Sequence, residues 1–149
     1  MSREAGVSRK DGALNIHASA VALEGRGLLI LGASGAGKSG LALRLMALGA
    51  ALVADDRVVL RRRDARLVAS APPELAGMIE ARGVGLLRAR PEEEATLALA
   101  VDLDTPPASR MPQPREISYL GLRVELISGR DAPNLDATLV QLLRCGRVP

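Results

Sequence analysis

Apolar residues recur with two different periods along this 149-residue chain. Leu28-Leu29-Ile30-Leu31 and Ala51-Leu52-Val53-Ala54 are short continuous apolar runs, the pattern of strands buried on both faces. Ile16 to Leu23 predicts a strand ahead of the first run, with Glu24-Gly25-Arg26-Gly27 as the hairpin turn between them. Centring that turn at Gly25 and Arg26 pairs Leu31 with Ala20 and carries His17 past the strand end, level with Ser34. Leu41, Leu45 and Leu48 recur at i, i+4 and i+7, one face of a helix that Gly49 stops. Val58 to Leu60 and Leu67 to Ala69 predict a β-hairpin. Pro72-Pro73-Glu74 opens a predicted helix reaching Arg82 and ended by Gly83. Leu86-Leu87 reads as a brief strand and Pro91 to Glu94 as a loop. Leu97, Leu99, Val101 and Leu103 alternate as a half-buried strand, proline-rich Asp104 to Pro114 as a loop, and Leu122, Val124 and Leu126 as another strand. Asn134 caps a last predicted helix with Leu135, Leu139, Leu142 and Leu143 on one side. The sum is a mixed sheet flanked by helices, one α/β domain over residues 15–145 behind a flexible tail of residues 1–14.

Between the first apolar run and the first helix stands Gly32-Ala33-Ser34-Gly35-Ala36-Gly37-Lys38-Ser39, a full match to the phosphate-binding loop pattern G-x-x-x-x-G-K-[ST]. Glycines let backbone N–H groups turn inward around β- and γ-phosphates, where a Cβ would obstruct them. Lys38 reaches phosphate oxygens, the Ser39 hydroxyl suits Mg²⁺, and the helix beginning there adds its positive end. Residues 32–39 therefore predict a nucleoside triphosphate site.

Asp55-Asp56 closes the strand that follows the loop helix, at the carboxyl end where open α/β sheets bind ligands. One carboxylate can hold Mg²⁺ through water and the other accept a proton from an attacking hydroxyl; a plain Asp-Asp turn is the competing reading. Glu80 and Arg82 form a second cluster. An acid near a helix end opposes the dipole unless a cation or an arginine meets it, although a solvated helix face explains the same residues. His17 is either an ordinary strand residue or a partner of the loop.

Composition narrows the classes. Apolar residues make up 48% of the chain, enough for a core, yet Tyr119 is the single aromatic. No aromatic platform exists for stacking bases, so nucleic acid is not an expected partner despite a net charge of +3. Arg61-Arg62-Arg63 with Arg66 straddle a predicted turn and read as its solvated flanks. Cys145 is alone, which excludes an internal disulfide or a cysteine metal cage. No apolar stretch nears the roughly 20 residues that span a bilayer, and Met1 to Gly12 lacks a signal-peptide core. A soluble, cytoplasmic protein is expected, with no membrane partner.

Together these segments resemble the C-terminal catalytic domain of HPr kinase/phosphorylase. The resemblance is carried by His17 upstream of the loop, Gly-Ala-Ser-Gly-Ala-Gly-Lys-Ser at 32–39, Leu52-Val53-Ala54-Asp55-Asp56-Arg57-Val58, Ser70-Ala71-Pro72-Pro73, and Ile79-Glu80-Ala81-Arg82-Gly83-Val84-Gly85. It is dense from His17 to Gly85 and faint beyond Pro91. It implies a P-loop kinase-like fold and an ATP- and Mg²⁺-dependent serine kinase acting on HPr, the phosphocarrier of phosphotransferase systems. By the resemblance Gly32 to Ser39 bind ATP, and Ser39 and Glu80 surround Mg²⁺. Asp56 takes the seryl proton, with Asp55 beside it, while His17 and Lys38 stabilise phosphoryl charge. Arg82 joins the Glu80 cluster, and Arg110 matches a family arginine beyond it. It also implies a ring-shaped hexamer, for which apolar surface on the last helix would serve as a subunit contact, and a short form without the family's N-terminal domain. Two departures stand out. Gly40 occupies a position where the family has glutamate, and Val124 to Arg130 lacks the family's Pro-Val-Lys/Arg-Pro stretch linked to dephosphorylation. Phosphorylase activity is therefore expected to be weak or absent. The rival readings are a small-molecule kinase and a non-catalytic ATP-binding regulator that acts through a partner protein.

Overall fold

The computed structural model describes residues 8–10 and 12–149. Strands β1 (Ser8–Lys10), β2 (Ala13–His17), β3 (Ser19–Leu23) and β4 (Arg26–Leu31) precede helix α1 (Lys38–Ala47). Then come β5 (Ala51–Ala54), β6 (Arg57–Arg63), β7 (Arg66–Ser70), a single 3₁₀ turn at Pro73–Leu75, β8 (Met78–Ala81) and β9 (Gly85–Arg88). The chain closes with β10 (Glu94–Asp102), β11 (Arg115–Tyr119), β12 (Leu122–Ser128) and α2 (Leu135–Cys145). The main sheet runs β1-β2-β6-β7-β10-β4-β3-β5, with β12 on β10 and β11 on β12; β8 and β9 form a separate pair.

Strand direction positions the site. β10 is parallel to both β4 and β12, and β3 lies antiparallel between β4 and β5. The carboxyl ends of β4, β5, β10 and β12 therefore open on one edge, and β3 contributes its first residue to that edge. The phosphate-binding loop, Asp55-Asp56, Asp102 to Asp104 and Gly129-Arg130 all follow these four ends.

The strands alternate between two cores, as successive side chains must. Val21, Leu23, Leu28 and Ile30 pack with Leu41 and Leu45 of α1 and Leu139 and Leu143 of α2. Ala20, Ala22, Leu29 and Leu31 face the other way, against Val58, Leu60, Ile117 and Leu126. Both helices thus cover one face, and the sheet's own outer strands close the second.

Several boundaries differ from expectation. The predicted strand from Ile16 to Leu23 is two strands broken at Ala18, and β2 pairs with β6 instead of continuing along β4. The hairpin turn is the two residues Glu24 and Gly25, both at positive φ, so Ile30 pairs with Ser19 and Leu29 with Ala20. That geometry is the hairpin turn whose twist matches its strands. Of the expected tail, residues 1–7 and 11 lie outside the described residues. Ser8–Lys10 pairs with Ala13–Asn15, so the sheet begins before residue 15.

The helix expected from Pro72 to Arg82 is one 3₁₀ turn followed by strand β8. Gly77 and Gly83, at φ 71 and 84, bracket β8 with backbone that a helix interior does not accept. Strand β11 carries only Ile117 and Tyr119 inward, an alternation too short to predict a strand. Asn134 does occupy the cap position of α2, but at positive φ and without a side-chain cap hydrogen bond.

Candidate active site

The loop from Gly32 to Ser39 joins β4 to α1 as its sequence pattern requires. Gly35 and Gly37 stand at φ 86 and 100, and a Cβ on Gly32 would come within 2.9 Å of the Ala36 Cβ. Lys38 opens α1 and is buried. Its ammonium folds back over the loop, donating to the carbonyls of Gly32 at 2.7 Å and Ala33 at 3.1 Å. Burial pushes this amine below its ordinary range, against the opposing pull of the Asp104, Asp56 and Asp55 carboxylates. Three acids at the strand ends therefore act on one lysine.

The two neighbouring aspartates have separate environments. Asp55 is buried, and its Oδ1 accepts the hydroxyls of Ser39 at 2.8 Å and Ser19 at 2.7 Å, while Oδ2 accepts the Glu80 N–H at 3.3 Å. Asp56 stands in the bend between β5 and β6 at a positive φ of 69°, and its side chain is 65% exposed. His17 Nε2 lies 3.1 Å from Asp56 Oδ1. A carboxylate only accepts, so Nε2 carries the proton.

The register predicted between β3 and β4 carries His17 to the level of the loop. His17 arrives instead at the end of β2, paired with Arg57 of β6, one residue from the Asp55-Asp56 corner. Glu80 was expected at a helix end; it sits in β8 with an exposed side chain, and its backbone N–H brings it to Asp55. Lys38, Ser39, Asp55, Asp56, His17 and Glu80 thus converge. Arg82 and Arg110 are exposed, on the turn after β8 and in the connection between β10 and β11.

Three polar residues at the site went unnoticed in the sequence: Ser19, Asp102 and Asp104. Asp104 accepts the Ala33 N–H through both oxygens at 3.0 Å. Buried Asp102 accepts the Asp104 N–H at 2.9 Å and the Thr105 hydroxyl at 2.7 Å, with Arg115 at 3.5 Å. The available signal was their place at the carboxyl end of β10, beside the phosphate-loop strand. A cleft of about 880 Å³ opens on this side, between the loop, Gly40 and Arg44 of α1, Asp104 and residues 129–136. It is large enough for a nucleoside.

The donor set fits a hard divalent cation, because Ser39 Oγ and the Asp55 carboxylate supply oxygen at one point. Among the described residues no group of three or more His, Cys, Asp or Glu forms a ready cage. The two facts agree, since Mg²⁺ at phosphate sites takes one or two protein carboxylates and completes its shell with phosphate and water.

A family model described as the HPr Serine kinase C-terminal domain matches residues 12–92. The chain belongs to that family. The HPr Serine kinase C-terminal match takes in the phosphate loop, both aspartates, His17 and Glu80. An HPr kinase/phosphorylase of Caldicellulosiruptor bescii is 36% identical over 141 residues, which are 88% of this chain and 42% of that protein. One of Clostridium botulinum is 43% identical over 72 residues, covering 48% of this chain and 24% of the relative. The chain thus spans less than half the length of these curated relatives. Among solved structures, the Hpr(Ser) kinase/phosphatase of Coxiella burnetii superposes with a TM-score of 0.74 at 26% identity, covering 87% of this chain and 93% of that one. The P-loop kinase-like α/β fold of the family is therefore the fold of this chain. Among the described residues no helix is long and apolar enough to cross a membrane.

Proposed function

We propose that this domain is an ATP- and Mg²⁺-dependent serine kinase whose acceptor is an HPr-type phosphocarrier protein. The observation that carries the proposal is the division of labour in the aspartate pair. Asp55 is buried and turned to Ser39, whereas Asp56 is exposed and held by His17 at the lip of the phosphate site. A nucleotide-binding switch has use for the first arrangement; the second suits an enzyme that takes the proton of an acceptor hydroxyl.

Phosphoryl transfer asks for positioning and charge stabilisation more than for covalent help. The loop amides and Lys38 cradle the β- and γ-phosphates, with the nucleoside in the cleft beside Gly40 and Arg44. Ser39 and Asp55, with Glu80 alongside, would hold Mg²⁺, which neutralises phosphate charge when bound. His17 fixes Asp56 Oδ1, leaving Oδ2 open to the acceptor. The seryl oxygen bonds to the γ-phosphorus, its proton passes to Asp56, and the bond to the ADP oxygen breaks. Lys38 is already beside the loop carbonyls and needs only to turn its ammonium from them to phosphate. Arg82 and Arg110, both exposed, stand in this reading as contacts to the acceptor protein.

The return reaction, in which inorganic phosphate attacks phosphoserine to give serine and pyrophosphate, is weak or absent in this reading. Val124 to Ser128 is ordinary strand lacking the prolines tied to that activity, and Ser128-Gly129-Arg130 leads directly into the cleft. Brisk pyrophosphate release from phosphoserine-HPr would overturn that part. A cytoplasmic setting and a hexameric assembly belong to the same proposal. Leu139, Val140 and Leu143 of α2 are buried within the chain itself, so a subunit contact on that helix would use its remaining surface, where Leu135 and Leu142 are half-buried.

The decisive experiment combines the protein, labelled ATP, Mg²⁺ and the HPr homologue of the same genome, and maps the phosphorylated residue. Phosphoserine on HPr is the expected result. Transfer to a metabolite with indifference to HPr, or tight ATP binding without transfer, would replace the proposal with a small-molecule kinase or a regulator.

A further inference from the structure

We infer that Ser19 is a positioning residue that holds the Asp55 carboxylate in place for the divalent cation. The inference rests on reading Ser39 and Asp55 as the cation's protein ligands.

Ser19 is fully buried and is the one polar residue of β3, whose others are Ala20, Val21, Ala22 and Leu23. An apolar side chain would suit packing there, and a buried hydroxyl is retained at a cost unless it is bonded. Its bond is short and specific: Oγ donates to Asp55 Oδ1 at 2.7 Å. The antiparallel course of β3 between β4 and β5 delivers this first residue to the edge where those strands end.

The same Oδ1 accepts Ser39 at 2.8 Å. Ser39, read as a cation ligand, must direct oxygen lone pairs to the cation. The Ser19 hydroxyl donates to Asp55 from another strand, so it anchors Oδ1 whichever way Ser39 turns. Oδ2 is tied more weakly, by the Glu80 N–H at 3.3 Å. Without Ser19 the buried carboxylate keeps one strong donor, and that donor is the group it must share.

The test measures binding of fluorescently labelled ATP with Mg²⁺ and with EDTA, in the wild type and in Ser19→Ala, Ser19→Thr and Ser19→Cys. In Ser19→Ala the gain in affinity conferred by Mg²⁺ should fall about ten- to thirtyfold, the lower part of what a hydrogen bond to a charged group is worth. Affinity in EDTA should stay within about twofold, and Ser19→Thr should restore the wild-type gain. If Ser19→Ala proves unfolded by its melting curve, Ser19→Cys keeps the volume with a weaker donor and should show an intermediate loss. Equal loss with and without Mg²⁺, or none, overturns the inference, as does Thr behaving like Ala. A wild type whose ATP affinity ignores Mg²⁺ overturns both this inference and the cation assignment. No acceptor protein enters the assay, so failure of phosphate transfer to HPr leaves its outcome standing.

Discussion

Replacing Asp56 with asparagine removes the proposed base and almost nothing else. The residue is exposed and stands at φ 69°, a conformation asparagine adopts as readily as aspartate. His17 Nε2–H can donate to the amide oxygen as it donates to Oδ1 now, so the corner between β5 and β6 should keep its shape. What disappears is the capacity to take the acceptor's proton. A positioned general base contributes about 10²–10⁴ in rate, or about 2.7–5.4 kcal/mol of barrier. Transfer to HPr, followed as phosphoserine formed from labelled ATP, should fall by that factor while labelled-ATP affinity stays within about twofold of wild type. Asp55→Asn is the control. There one oxygen becomes an NH₂ group; with Ser19 and Ser39 donating to Oδ1, that group must face the Glu80 N–H, donor against donor. It should lower the melting temperature, by about 1–3 kcal/mol of stability for a buried group left unsatisfied, and diminish the Mg²⁺ dependence of ATP binding. Turnover in Asp56→Asn within tenfold of wild type, about 1.4 kcal/mol, would refute the base assignment.

Further outcomes follow from the same geometry. Gly32→Ala puts a Cβ 2.9 Å from the Ala36 Cβ and 3.2 Å from the Leu103 Cβ, so the loop must shift and ATP affinity should fall at least tenfold, read by labelled-nucleotide titration. The Lys38 amine is held below its ordinary 10.5, chiefly by burial, so ATP affinity should decline on the alkaline side before that pH as the ammonium is lost. For the empty protein the sign runs the other way. The lowered amine costs stability at neutral pH, and that cost is relieved as pH rises from the folded value toward 10.5. Lys38→Arg, charged throughout, should flatten the alkaline decline in affinity. Leu139→Ala hollows a fully buried site between α2 and the sheet and should cost about 2–5 kcal/mol in urea unfolding.

The parts legible in the sequence were those whose signal is local. The phosphate loop needs consecutive residue types, α1 needs one helical face, and β5 ends in its two acids regardless of what packs around them. The parts that escaped depend on pairing. Ser19 carries no message until β3 is known to run antiparallel beside β5, which turns an isolated hydroxyl into a carboxylate's donor. His17 was placed by a register that assumed an unbroken strand. Glu24 at φ 51° tightened the turn, Ala18 broke the strand, and His17 reached the site on another strand. Glu80 was given a role through a helix dipole, yet glycines with positive φ make its segment a hairpin, and the contact with Asp55 is through backbone.

Ile79 tests whether that hairpin matters to the site. The residue is 1% exposed and packs with the α1 core, whereas every residue of β9 is exposed. A two-stranded hairpin has little stability of its own in water, so Ile79 is the main apolar anchor that keeps β8, and with it the Glu80 N–H, against Asp55. Ile79→Ala should cost about 2–5 kcal/mol if the cavity stays open, and less if the hairpin peels away. The two responses separate by hydrogen exchange. Peeling should speed exchange at the amides of Glu80 and Ala89, which bond Asp55 and Gly77, while the amides within α1 keep wild-type rates. Uniformly faster exchange across α1 would mean instead that Ile79 serves the core alone, and that the hairpin reaches Asp55 without its help.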